Sequence, residues 1–153
     1  MNLDKYAFNA DQEHKHFTFE SIGPKGVIKK AVRYDTMPFL STLNGTPVVN
    51  IAFGDWNEED GLIDDTTVSN NKDKDKILAT VASTIIAYVK RNGGLLPVHA
   101  IGRTPAKTRL YQMGINAHLP EIEKLFSVYG YKEKNWMPFR SGINYEAFLG
   151  IIK

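Results

Sequence analysis

Between Asp73 and Gly94 the apolar residues Ile77, Leu78, Val81, Ala82, Ile85, Ile86 and Val89 recur at intervals of three and four, and this run constrains the fold more than any other feature of the chain. That spacing lines up one face of an α-helix. Lys90 and Arg91 supply a basic last turn, and Gly93 and Gly94 supply a stop. Ala79, Ala87 and Tyr88 widen the stripe, so the helix is expected to lie across the inner face of a sheet and to bury much of the core.

The residues before this helix have a different period. "HFTFESI" alternates Phe17 and Phe19 with Thr18 and Glu20, and "GVIKKAVRY" follows the Gly-Pro-Lys-Gly turn at 23–26, which together predict a hairpin. In its second strand Ile28, Val32 and Tyr34 share a face that Lys30 interrupts, while Lys29 and Arg33 project from the other. "DTMPFLSTLNGT", with Pro38, Asn44 and Gly45, reads as a loop. "PVVNIAFGD" and "GLIDDTTVS", joined by the acidic "WNEED", predict a second hairpin. After the helix, "LLPVHAIG" is a short buried strand. A strand reached through a helix of that length runs parallel to the one before it, by a right-handed crossover. "IDDTTVS", the helix and "LPVHAIG" are thus expected to form one βαβ unit, followed by a second helix and a final strand pair, "SVYGYKE" and "YEAFLGIIK". The predicted class is α+β: a mixed, mostly antiparallel sheet with one βαβ crossover, in a single domain over 1–153.

Composition narrows the chemistry. A chain of 153 residues, 42% hydrophobic, buries a core without staples, and the absence of cysteine excludes disulfides, thiolate metal sites and a cysteine nucleophile. The opening "NLDKYAFNADQEHKHF" has no apolar core of a signal peptide, and no run approaches the roughly 20 apolar residues of a membrane helix, so a cytoplasmic protein with no membrane partner is expected. With 19 basic and 17 acidic residues the net charge is +2, so any basic site must be local.

Such a site is suggested by "VHAIGRTPAKTRLY". Thr104 is a helix N-cap residue by type and Pro105 suits the first helical position, while Gly102 admits close backbone approach. Arg103, Lys107 and Arg109 add positive charge where the helix dipole is already positive. The start of the long helix carries Ser69, Asn70, Asn71, Lys72 and Lys74. In parallel-stranded sheets, helix starts of this kind gather beyond the strand ends and hold anions. Asn70, Asn71, Lys72, Lys74, Gly102, Arg103, Thr104, Lys107 and Arg109 are therefore expected to face one hollow that takes a phosphate-bearing ligand. The competing reading has Asp73 and Asp75 capping the first helix, Lys107 facing water, and Ala106, Leu110 and Met113 packing the second helix. His99 reads as a core histidine. Asp55, Asp64 and Asp65 read as the polar end of a hairpin, and no metal site is assigned. Nucleophile-elbow, Walker and dinucleotide motifs are absent from the sequence.

The order of elements resembles the layout of Gcn5-related N-acetyltransferases, and "TPAKTRLYQMGI" is similar to a helix of that family. The resemblance implies that Tyr111 protonates the departing thiolate of acetyl-CoA and that the turn at 70–74 cradles its pyrophosphate. Here "SNNKDKD" holds no glycine and Ile115 stands where that family has an aromatic residue. Over most of its length the chain also resembles a small, functionally uncharacterised family of bacterial proteins, through "AFGD" (52–55), the block at 63–82 and the block at 102–115. Three function classes follow, and whether the chain is an enzyme stays open. One is binding of a nucleotide or of RNA or DNA, as a component of a toxin–antitoxin or phage-defence module, with Lys29, Arg33, Arg103, Lys107 and Arg109 on phosphates and Tyr111, Tyr129 or Trp136 stacking. Another is acyl transfer from acetyl-CoA. The last is a protein-interaction subunit with "NWMPF" as its interface.

Overall fold

A computed structural model describes residues 4–36, 48–64, 70–92 and 97–153. The chain forms β1 (Asn9–Ala10), β2 (His16–Gly23), β3 (Gly26–Thr36), β4 (Val49–Asn57), β5 (Leu62–Asp64), α1 (Lys74–Arg91), β6 (Val98–Ala100), α2 (Pro105–Ala117), α3 (Leu119–Leu125), β7 (Phe126–Lys132), β8 (Asn135–Pro138) and β9 (Ala147–Ile152). The described strands make one sheet in the order β1-β2-β3-β4-β6-β9-β7-β8, with β5 also on β4. Only β4 and β6 pair in parallel; the other described pairs are antiparallel. The class is α+β, as expected.

Both predicted hairpins form. β2 and β3 pair from His16↔Arg33 to Gly23↔Gly26, and β4 and β5 pair from Asp55↔Asp64 to Asn57↔Leu62. The crossover needs correction. β6 lies parallel to β4, with Val49↔Val98 and Ile51↔Ala100, and not to β5. β5 is a short return strand on the far half of the same β4 edge, so the unit is β4-α1-β6 with a hairpin inserted. The expected loop with Pro38, Asn44 and Gly45, the rest of "IDDTTVS" including Asp65 and Ser69, and the glycine stop at Gly93 and Gly94 lie outside the described residues. β8 was not expected; it hairpins onto β7 through Lys132↔Asn135 and forms a sheet edge.

The register puts Phe17, Val32, Phe53, Ile51, Ala100, Phe148 and Val128 on one face, and the helices cover that face. One cluster joins Phe17, Phe19, Val32, Tyr34, Val49 and Ile51 to Ile77, Tyr88 and Val89 of α1; a second is built on Phe139, Tyr145 and Phe148 under α2. Ala100 and Tyr111 touch both. The α1 face differs from a purely apolar stripe, because Thr80 and Thr84 are fully buried in it. Each offsets its desolvation with hydrogen bonds. Thr80 Oγ1 donates to the Lys76 carbonyl and accepts from the Tyr6 amide, while Thr84 Oγ1 donates to the Val81 carbonyl. That leaves the Tyr34 hydroxyl, 2.7 Å away, to donate to Thr84. Tyr34 also stacks on Tyr88 at 4.4 Å between centroids.

Burial pushes the Tyr34 phenol well above its ordinary 10.0, because the phenolate would sit in the core. A folded-state value above the unfolded one makes a contribution that is complete below the unfolded pKa and is lost as pH rises past it. Stability should therefore fall above about pH 10. Tyr34→Phe should cost about 1 kcal/mol at neutral pH, by loss of one hydrogen bond, and should shallow the alkaline fall. Urea unfolding at several pH values measures both.

Candidate functional site

The start of α1 is held in place by a buried amide. Asn71 is 1% exposed; its Nδ2 donates to Ser21 Oγ and to the Gly26 carbonyl, both at 3.0 Å, and its Oδ1 accepts from the Lys25 amide at 2.8 Å. The clamp ties the entry of α1 to the β2–β3 turn. Gly23 makes room for it, since a Cβ there would come within 2.0 Å of the Asn71 carbonyl oxygen. Asp73 occupies the N-cap position but does not cap: its Oδ2 accepts from the Tyr6 hydroxyl and from Ser21 Oγ, each at 2.6 Å. Among the described residues no side chain is seen to cap the α1 start, which leaves its first amides and the positive end of its dipole directed away from the helix.

These residues border a cavity of about 320 Å³. Asn70, Asn71, Lys72, Asp73 and Lys74 form one wall, Lys107, Leu110 and Tyr111 of α2 the opposite one, and Lys30 and Phe53 of the sheet the floor. Lys107 does not face water. It is 3% exposed, with its ammonium 5.1 Å from the centre of the Phe53 ring. Lys30, 4% exposed, makes an ion pair with Asp55. Lys30 and Lys107 thus border the same chamber as the start of α1, together with Lys72, Asp73 and Lys74. Sequence reasoning missed Lys30 and Phe53 as neighbours of this site, although a lysine interrupting an apolar strand face was the visible signal.

The other expected residues stand apart. Gly102, Arg103, Thr104 and Arg109 line a separate, wider hollow of about 630 Å³ with Asn144 and Glu146. The α2 start does not open onto the shared cavity, and it is closed by its own side chain, as Thr104 Oγ1 accepts from the Lys107 amide at 3.2 Å. Gly102 is needed for packing: a Cβ would meet the Thr108 amide nitrogen at 2.2 Å, and Thr108 Oγ1 bonds the Gly102 backbone. Of the residues expected to share one hollow, the cavity brings together Asn70, Asn71, Lys72, Lys74 and Lys107, with the Asn71 side chain committed to the clamp, and Tyr111 lies on the same wall. The convergence fails for Gly102, Arg103, Thr104 and Arg109. Met113, expected to pack, is 48% exposed, because α2 turns Lys107, Gln112 and Gly114 inward instead.

His99 lies on the sheet face away from the helices, its Nδ1 3.0 Å from Asn50 Oδ1, and burial lowers its pKa. Asp55 and Asp64 are cross-strand partners, and among the described residues no three His, Asp or Glu side chains converge as a metal site would require. Asn71→Ala should lower the unfolding free energy by about 1–3 kcal/mol, since it removes the partner of the buried Ser21 hydroxyl and of the Gly26 carbonyl and Lys25 amide. Gly23→Ala should be destabilising for the same reason, by forcing the clamp apart. Urea denaturation of both variants checks this; unchanged midpoints would refute the clamp.

No helix among the described residues is long and apolar enough to cross a membrane. No curated protein and no solved structure is similar enough to match the chain. Residues 2–153 match a family of unknown function, DUF6934, and the chain belongs to that family.

Proposed function

We propose that the chain binds a small phosphate-bearing ligand, a nucleotide or a phosphate-bearing coenzyme, in the cavity between α1 and α2. The observation that carries this reading is the start of α1, whose N-cap carboxylate is bonded to Tyr6 and Ser21 instead of the helix, on the wall of a cavity that Lys72, Lys74 and Lys107 also line. A cavity of about 320 Å³ is of a size for a small ligand. The basic residues that RNA or DNA would need are spent or dispersed: Lys29 pairs with Glu58 at 2.7 Å, Arg33 pairs with Asp35 at 2.8 Å, and Arg103 and Arg109 sit at the other hollow. A protein-interaction role through "NWMPF" is weakened by Phe139, which is buried, although Trp136, against Tyr131 and His99, stays 38% exposed.

A second reading, an acyl-CoA-dependent N-acyltransferase, draws support from one feature. β4 and β6 run parallel for three paired residues and then part, with α1 between them in sequence and Tyr111 of α2 on the wall of the cavity near by. Under this reading acyl-coenzyme A would supply the phosphates and the acyl group, and the Tyr111 hydroxyl would give its proton to the departing coenzyme A thiolate.

Thermal unfolding with pyrophosphate, mononucleotides, coenzyme A and acetyl-CoA tests both. A ligand at a hundred times its Kd should raise Tm by roughly 5–10 °C in a domain of this size. Lys107→Met should abolish the shift, and Arg103→Ala with Arg109→Ala should leave it intact. The reading fails if no member of the panel stabilises the protein, or if the arginine pair matters and Lys107 does not. For the acyltransferase alternative, Tyr111→Phe should retain coenzyme binding and lose acyl transfer to an amine by at least about 100-fold; equal turnover in the two proteins would remove Tyr111 from that role.

A further inference from the structure

Among the described strands the sheet ends at β8, which pairs with β7 alone. Backbone polar groups alternate in direction along an antiparallel strand, so the Phe139 amide, which donates to the Val128 carbonyl at 2.9 Å, sets the phase of this edge. Phe139, Met137 and Asn135 turn their amides and carbonyls toward β7. Trp136 and Pro138 turn theirs outward, and among the described residues no backbone bond reaches them. An open edge is a template for another strand, and proteins ordinarily blunt it with charge, a bulge or proline. Here the register runs unbroken from Lys132↔Asn135 to Tyr129↔Pro138, so no bulge bends the edge, and the outward positions carry no charge. Pro138 blunts only its far end. Trp136 is exposed at the middle of the edge, and its indole rests on its own sheet against Tyr131 and His99, with ring centroids 5.1 Å and 5.9 Å apart, which orders the strand before any partner arrives.

We infer that β8 pairs with β8 of a second copy of this chain, antiparallel about a two-fold axis at Trp136. Trp136 then faces Trp136 of the second copy, and the two exchange both backbone bonds, amide to carbonyl in each direction. An axis one residue on, at Met137, would set Trp136 against Pro138, which has no amide to return, so the proline selects the register. The same register lays the Glu133–Lys134 turn beside the segment that follows Pro138 in the second copy. That brings Glu133 toward Arg140 of the second copy, twice by symmetry, and among the described residues neither has an ion pair within its own chain. The contact is made by backbone and does not call on the buried Phe139. The opposite edge, β1, is a strand of two residues and offers no equivalent template, so the pairing closes as a dimer.

Sedimentation velocity of the whole protein over a range of concentrations tests this. The mass should rise from 17.2 kDa toward twice that value and stop there. Trp136→Pro removes an outward amide and leaves β8 its bonds to β7, so it should abolish the dimer while thermal unfolding stays cooperative. Glu133→Lys should raise the dimer Kd about tenfold, by turning two attractions into two repulsions, and Glu133→Lys combined with Arg140→Glu should restore it. This charge exchange keeps the inference open to refutation should the proline variant not fold. A protein that stays monomeric at every concentration overturns the inference. Assembly beyond the dimer overturns it too, as does a dimer that neither Trp136→Pro nor Glu133→Lys weakens.

Discussion

A single buried amide organises the functional end of this molecule. Asn71 has little access to water, and each of its polar atoms would be costly to leave unmet. The β2–β3 turn meets them with one hydroxyl, one carbonyl and one backbone amide. The match is directional, so it sets where α1 begins relative to the sheet as well as adding stability. Ser21 belongs to the same arrangement, donating to Asp73 while accepting from Asn71. By drawing the Asp73 carboxylate toward Ser21 and Tyr6, the clamp withholds it from the helix it would otherwise cap. The electropositive α1 start is a consequence of how that helix is anchored.

The same economy appears in the core. A broad apolar helix face could slide over an apolar sheet, because hydrophobic contact is non-directional. Thr80 and Thr84, fully buried at the centre of α1, remove that freedom by pairing with Tyr6 and Tyr34. Toward α2, where Leu78, Val81, Ala82 and Ile85 point, the packing is looser and leaves an apolar chamber of about 160 Å³ that shares Phe53, Leu78 and Tyr111 with the cavity. Rigid anchoring on one side of α1 and open volume on the other place the cavity and the chamber side by side, with Tyr111 on the boundary.

The elements that could be read directly are those whose signals are local. The α1 stripe, the β2–β3 alternation with its glycine-flanked turn, and Thr104 with Pro105 at the head of α2 all rest on residues within a few positions of one another, and each formed where expected. The pairing of β6 with β4 instead of β5 was not legible, since strand partnership depends on which edge is free after the hairpin folds back. The site was legible in half. Lys72, Lys74 and Lys107 line one cavity, but a helix rotates its residues by about 100° each, so Arg109, two positions on, could not share the direction of Lys107, and Arg103 precedes the helix altogether.

Periodicity and turn chemistry in the sequence determined the presence of a long amphipathic helix, the first hairpin, the α+β class and a surplus of cations around two helix starts. Only the tertiary structure decided which of those starts stays uncapped, which lysines are buried, and that an apolar chamber adjoins the charged one. The reason is physical: caps, ion pairs and cavities are made between residues distant in sequence, such as Ser21 with Asp73 or Phe53 with Lys107, and their outcome follows from how the helices dock on the sheet.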